Sequence, residues 1–329
     1  MSNMSNSIVV LGPGQGAQSV GMGLAWRDAS KAAAEIFARA DAAIDLSALG
    51  GSLSKLCFEG SAETLNRTDV SQPALFTCAM ASFAALQDCQ NPPQIAACAG
   101  LSLGEYTALA IAGAFSFEDG LRLVAARGRL MQAAAEASRG GMVALIGADE
   151  AQAQAVCDGA AQGEVLVCAN FNATGQIVLS GHASACARAL DVASSVGCRA
   201  APLQVAGAFH SPLMAPAAEA LANALELVEF HPLKYPVWSN VTAALHGQDD
   251  PQTLKKLLVD QLVCPVRWSQ SMSALIAGLP AGAERPAFHE LAPGSVLKGL
   301  MRRIDRTCEV TSHDKPDKPD KPDTTVQPH

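Results

Sequence analysis

Ile95-Ala96-Ala97-Cys98-Ala99-Gly100-Leu101-Ser102-Leu103-Gly104-Glu105-Tyr106-Thr107-Ala108-Leu109-Ala110-Ile111-Ala112 decides how this chain folds. Ile95 to Ala99 has the length and composition of a short buried strand, and Glu105 to Ala112 reads as a compact helix that Gly113 is placed to stop. Between them, G-x-S-x-G puts Ser102 on the turn from strand to helix. Glycines two residues to either side remove the Cβ atoms that would collide in so sharp a turn, leaving the serine in a strained conformation with its hydroxyl exposed. Strain of this kind is usually kept for chemistry. The first turn of the helix offers partial positive charge and unpaired N–H groups, so the amide of Leu103 is placed to donate to an oxyanion forming beside Ser102. The same five-residue pattern also arises as a small-residue turn in ordinary α/β proteins; the strand before it and the helix after it favour a nucleophile elbow.

Toward the N-terminus, Ser7 to Leu11 reads as a first strand followed by the loop Gly12-Pro13-Gly14-Gln15-Gly16-Ala17-Gln18. Gly12, Gly14 and Ala17 match the dinucleotide fingerprint G-x-G-x-x-A, but Pro13 interrupts it. No second strand ending in an acidic residue follows about 20 positions later. A loop whose backbone and Gln15 line an active site is the better reading. Helical patterns follow at Ser30 to Ala43, Ser61 to Leu65 and Pro73 to Leu86. Past the elbow, Glu118 to Ala135 is an amphipathic helix with Leu121, Leu123, Val124, Leu130 and Met131 on one broad side and Arg122 and Arg129 opposite. Arg127 lies on the inward arc between Leu123 and Met131, where an arginine is costly unless it meets an anion. An arginine snorkelling from the edge of the stripe, or paired with a structural carboxylate, is the alternative.

Further on, strand-like Met142 to Ile146, Val165 to Asn170, Gln176 to Ser180 and Arg199 to Val205 alternate with helical Asp149 to Gly159 and Ser184 to Val196. The order β-α-β-β-α-β is that of a ferredoxin-like unit, able to form its own small core. The chain then reads as a large α/β-hydrolase-like domain (residues 1–138 and 207–308) with a ferredoxin-like small subdomain inserted at 139–206 and a disordered tail at 309–329. In the second part, Ser211 followed by Pro212 caps a helix over Leu213 to Val228. His210 therefore stands at a strand end and a helix start, where ligand-handling residues gather in open α/β sheets. The other histidines are placed less well: His182 in the insert, His231 before a proline, His246 in a turn, His289 in a late strand, His313 and His329 in the tail. Val237 to Val241 reads as a strand, Pro251 to Val263 as a helix carrying Gln261, and Pro286 to Leu291 with Ser295 to Ile304 as a last strand-loop-helix. The Asp-Lys-Pro repeats of the tail cannot bury a core.

With 329 residues, a hydrophobic share of 49% and a charged share of 16%, the composition is that of a soluble globular protein. No apolar run approaches the ~20 residues needed to cross a bilayer, and Met1 to Ser7 is too short and polar for a signal peptide, so a cytoplasmic location is expected. The 10 cysteines form no C-x-x-C pair, and Cys78, Cys98 and Cys168 sit in apolar surroundings as small core residues. No disulfide framework or metal site is indicated, and the N-x-T triplets at Asn66, Asn172 and Asn240 carry no information. A net charge of -8 without a basic tract argues against a nucleic-acid partner, and an acidic protein partner would need a local basic patch.

Taken together, the sequence resembles the malonyl-CoA:acyl carrier protein transacylases of fatty acid synthesis and the acyltransferase domains of polyketide synthases. The segments that carry the resemblance run from Gly12 to about Ile304. They are Pro13 to Gln18, Gly100-Leu101-Ser102-Leu103-Gly104-Glu105-Tyr106, Arg127-Gly128 with Met131-Gln132, Asn170-Phe171-Asn172, Ala208-Phe209-His210-Ser211-Pro212-Leu213-Met214, Asn240-Val241-Thr242, Gln261-Leu262 with Pro265 to Trp268, and Pro293-Gly294 with Val296-Leu297. The resemblance implies that Ser102 is the nucleophile and His210 its base, that the amides of Gln15 and Leu103 hold the oxyanion, and that Arg127 clamps the malonyl carboxylate. It also implies that a main-chain carbonyl near Gln261 orients the histidine, that Phe209 limits room for an α-methyl group, and that Asn170, Asn172 and Gln261 belong to the substrate site. No cofactor beyond the malonyl-CoA substrate and no metal is implied; the partner is acyl carrier protein, with no membrane, and a monomer is expected. Two positions depart from the family pattern. Leu101 stands where the family usually has histidine, which points to altered packing or pKa tuning near Ser102 with activity retained, and Leu11 replaces a more common phenylalanine. A serine hydrolase, a discrete polyketide acyltransferase and a scaffold that has lost its chemistry are the rival readings.

Overall fold

The computed structural model describes residues 6–247, 250–280 and 285–316. At its centre β1 (Ser7–Gly12) pairs in parallel with β2 (Gln94–Gly100), and both strands end at the loops that carry the site. The apolar run of β1 is buried on both faces of the sheet. Ile8 and Val10 join the main core, while Val9 and Leu11 pack with Trp268, Phe288 and Leu297 on the opposite side.

The antiparallel layer consists of β3 (Gly140–Ile146), β4 (Leu166–Ala173), β5 (Gln176–His182) and β6 (Arg199–Pro202), in the order β4-β5-β3-β6. Helices Glu150–Ala161 and Ala183–Ser195 complete it, and a separate core of Val143, Leu145, Leu166, Leu179 and small residues holds it together. The element order is the one read from the sequence. β6 stops short of Val205: Leu203 N–H still donates to Met142 O at 3.0 Å, but Val205 N–H turns back onto Leu203 O at 3.1 Å. The layer is stitched to the rest of the chain along the edge of β4: Val266 N–H donates to Ala169 O at 2.8 Å and Phe171 N–H to Val266 O at 2.9 Å.

The parallel sheet is finished late in the chain by β7 (Ala287–Glu290) and β8 (Val310–Ser312), giving the order β2-β1-β7-β8. The expected disordered tail is thus corrected over residues 309–316. Val310 is buried in register with Phe288, and Trp26 Nε1 donates to His313 O at 2.7 Å. Apolar burial and strand pairing at Cys308 and Val310 outweigh the polar composition that follows them. The expectation for 317–329 lies outside the described residues.

Three further expectations change. The helix expected from Pro73 is Thr68–Gln87, its first turn held by Thr68 N–H on Gln132 Oε1 (3.1 Å) and by the Arg67–Asp69 ion pair (2.7 Å). The helix after Ser211 begins as a 3₁₀ turn, Pro212–Met214, before Ala215–Glu226. Val237 to Val241 is no strand but two isolated bridges, Val237 to Cys98 and Trp238 to Leu245, after which Ser239 N–H to Ala244 O (2.8 Å) folds the backbone back and leaves Asn240 beneath the elbow. Among the described residues no helix is long and apolar enough to cross a membrane.

Candidate active site

Ser102 is the N-cap of helix Leu103–Ile111, with φ 53° and ψ −102°, a conformation that L residues rarely hold. The surrounding glycines make it possible. A Cβ on Gly100 would fall on the carbonyl of Gly104, one on Gly104 would meet Gly12 O, and one on Gly12 would lie 2.7 Å from Gly104 O. Three backbone segments therefore touch directly, with no side chain between them. The strained residue is held from both sides: its N–H donates to Asn240 Oδ1 at 2.6 Å, and its carbonyl accepts from Gln261 Nε2 at 3.1 Å. Gly100→Ala should destabilise the protein by about 3 kcal/mol or more, because the clash is with backbone and cannot be relieved by a rotamer. Chemical denaturation monitored at the tryptophans would show it as a lowered midpoint.

His210 also lies in the left-handed region, at φ 56°. Its Nε2 is 2.8 Å from Ser102 Oγ and its Nδ1 is 2.7 Å from Gln261 O. A carbonyl only accepts, so Nδ1 carries the proton and Nε2 is the free base facing the hydroxyl. Burial, and next the positive charge of Arg127, push the imidazole down to about 4, against a smaller upward pull from the Gln261 carbonyl. At neutral pH the ring is therefore uncharged and able to take a proton. The labelling rate of Ser102 by a serine-directed fluorophosphonate should hold as pH falls and be lost near pH 4; a limb at the ordinary value of 6.5 would contradict this geometry. The folded pKa is depressed, so between 6.5 and about 4 the unfolded chain binds the proton more readily, and the share of stability contributed by the neutral ring is lost as pH falls through that window.

Arg127, on helix Phe117–Ser138, is 1% exposed and has no carboxylate within ion-pair distance among the described residues. Its partners are neutral. Nη1 donates to Gln72 Oε1 at 2.7 Å, and Nη2 donates to Gln261 Oε1 at 2.9 Å and to Ser102 Oγ at 3.1 Å. Nε has no partner among the described residues, and Cζ stands 5.2 Å over the Tyr106 ring. Burial pushes the guanidinium below its usual value, opposed by Tyr106 and Glu105, yet it stays charged at any physiological pH. A buried cation held only by amides, a hydroxyl and a ring can receive an anion.

Ser102, Arg127 and His210 open onto one cleft of about 190 Å³. Gln15, Leu103, Asn170, Asn172 and Phe209 line it, joined by Leu101, Met131, Met142 and residues 203–205. Leu103 is the first residue of its helix, so its N–H has no intrahelical partner. The side chain of Gln15 reaches away to Thr68 Oγ1 at 3.4 Å, and Asn172 Oδ1 is buried without a partner among the described residues. Gln261 stands behind the cleft rather than in its wall, fully buried.

An acyl transferase domain model matches residues 9–324. The chain belongs to the acyl transferase domain family. Malonyl CoA-acyl carrier protein transacylases of Bacillus subtilis and Salmonella typhimurium are 38% and 40% identical to it, over 94% of both chains in the first case and over 92% of this chain and 94% of the relative in the second. Among solved structures, the malonyl CoA-acyl carrier protein transacylase of Coxiella burnetii is 36% identical, with a TM-score of 0.87 over 95% of each chain. A malonyl-transacylase solved with its type II PKS acyl-carrier protein is 35% identical, with a TM-score of 0.86 over 95% of this chain and 97% of the other. The mixed architecture of one parallel and one antiparallel sheet is thus that of acyl transferases.

Sequence reasoning missed part of what this acyl transferase site rests on. Gln72 went unnoticed, and Glu105 and Asn240 figured only as members of motifs. His246, assigned to a turn, is buried with Nε2 2.6 Å from Glu105 Oε1. One signal was available: Glu105 is the only charged residue of an otherwise apolar nine-residue helix.

Proposed function

We propose that the protein transfers malonyl groups from malonyl-CoA to the phosphopantetheine thiol of acyl carrier protein, through a malonyl ester on Ser102. His210 Nε2 takes the Ser102 proton as Oγ adds to the thioester carbonyl, and the amides of Leu103 and Gln15 receive the oxyanion. Collapse breaks the C–S bond, and His210 returns the proton to the departing CoA sulfur. In the second half the carrier thiol gives its proton to His210 and adds to the ester carbonyl, and Ser102 leaves with that proton. Arg127 exchanges its bond to Ser102 Oγ for two bonds to the malonyl carboxylate, while Phe209 restricts the α-carbon and Asn170 and Asn172 face the acyl chain.

One observation carries this reading: a buried guanidinium, with no carboxylate at ion-pair distance among the described residues, 3.1 Å from the nucleophile. A hydrolase acting on neutral esters has no use for it. The order β-α-β-β-α-β with strands arranged β4-β5-β3-β6 supports a ferredoxin-like insert in an α/β-hydrolase-like body. The names of the curated relatives favour fatty acid biosynthesis; the structure solved with a type II PKS carrier keeps a discrete polyketide role as the second reading.

Intact-mass spectrometry after mixing with malonyl-CoA tests the proposal. A malonyl adduct on Ser102 that persists in buffer and is discharged by holo-carrier protein supports it. Rapid loss in water alone would make the protein a hydrolase, and no adduct would make it a scaffold.

A further inference from the structure

Beneath the elbow lies a polar cluster that the mechanism above does not use. Glu105 is 1% exposed, and three groups converge on its carboxylate. Oε2 accepts from Gln261 Nε2 at 2.6 Å and from Asn240 N–H at 3.1 Å; Oε1 accepts from His246 Nε2 at 2.6 Å. Asn240 in turn holds Gly100 O with Nδ2 at 2.8 Å and receives Ser102 N–H on Oδ1. His246 is 3% exposed, and its Nδ1 has no partner among the described residues, so the ring's one hydrogen bond among them is the one to Glu105.

The amide of Gln261 can be read in two orientations, and the carboxylate decides between them. A carboxylate oxygen only accepts, so the nitrogen of the amide must face Glu105, and its oxygen must then face Arg127 Nη2, where it is found at 2.9 Å. Flipped, the amide would set N–H against N–H at Arg127 and oxygen against oxygen at Glu105. The main-chain carbonyl of Gln261 that orients His210 needs no such help, since it is held at the end of helix Pro251–Asp260 by Gln261 N–H on Leu257 O at 2.9 Å. Loss of the carboxylate therefore loosens the guanidinium before it loosens the base.

We infer that Glu105, held by His246, is a positioning residue for malonyl selectivity: through the Gln261 amide it aims Arg127 at the acyl carboxylate. This rests on the transferase reading, so the wild-type protein is first shown to form the malonyl ester; if it does not, that reading fails and not this one. The test compares single-turnover acylation of Ser102 by malonyl-CoA and acetyl-CoA in Glu105→Gln, His246→Phe and His246→Gln, with melting temperature measured alongside.

Glu105→Gln is expected to lower the malonyl-to-acetyl ratio of kcat/KM by about tenfold, the value of one charge-assisted hydrogen bond, chiefly through KM for malonyl-CoA. His246→Phe should lower the ratio in the same direction by a smaller factor, and His246→Gln, which keeps an N–H donor, should restore it. A ratio unchanged in both Glu105→Gln and His246→Phe, with the two acyl groups losing rate together as the melting temperature falls, would reduce the cluster to a packing role and overturn the inference. If Glu105→Gln does not fold, the ratio in His246→Phe decides alone.

Discussion

Ser102→Ala is expected to abolish the malonyl adduct and to lower transfer to carrier protein by about 10⁴-fold or more, with the fold intact. The hydroxyl is the only atom on which the acyl group can rest between its two thiols, so no partial route remains through the ester. His210→Ala should cost nearly as much, because at 2.8 Å from Oγ it is the base for both half-reactions. The two losses should not add: once one member of the pair is gone, the other has nothing left to do. A double variant much slower than either single variant would show that serine and histidine act independently. Rates from quenched-flow transfer assays give the comparison, and circular dichroism confirms that the variants are folded.

Arg127→Ala is expected to reverse the acyl preference. Removing a two-pronged charged contact from a buried site should lower kcat/KM for malonyl-CoA by roughly 10²-fold to 10³-fold, at ~1.5–3 kcal/mol for a hydrogen bond to a charged group. Acetyl-CoA has no carboxylate and loses nothing; the vacated space and the absence of an unpaired buried cation should leave its transfer unchanged or faster. The pH profile offers a second reading. Among the described residues the cation has no carboxylate at ion-pair distance, and its removal lifts the ring of His210 back toward its ordinary range, since Arg127 is the second cause of the depression. The acid limb of Ser102 labelling should move up in pH with it. Equal losses for malonyl and acetyl groups would remove the clamp from the mechanism.

The parts of the site legible in the sequence are those whose signal is local. Ser102 declared itself through glycines whose absent Cβ atoms turn out to face backbone, and Arg127 through its place on the inward arc of one helix. The antiparallel layer was readable because its strands and helices alternate at short spacing. What escaped depends on distant contact. Val237 to Val241 has the apolar character of a strand, but Ser239 and Asn240 bend the backbone after the bridges at Val237 and Trp238. His246 has no local pattern and takes its meaning from Glu105, 141 positions away. The last strand was hidden by its neighbours: three residues of Val310–Ser312 carry too little hydrophobicity to stand out beside the charged repeats that follow.

The stitch between Ala169, Phe171 and Val266 bears on how an acyl group is chosen. Asn170 and Asn172 extend from the same strand, which is tied to Val266, five residues after Gln261, so one wall of the cleft is laced to the segment carrying Gln261. Jaw-like closing of the small layer over its cargo would tear main-chain hydrogen bonds. Cleft wall and Gln261 segment are therefore expected to move as one piece.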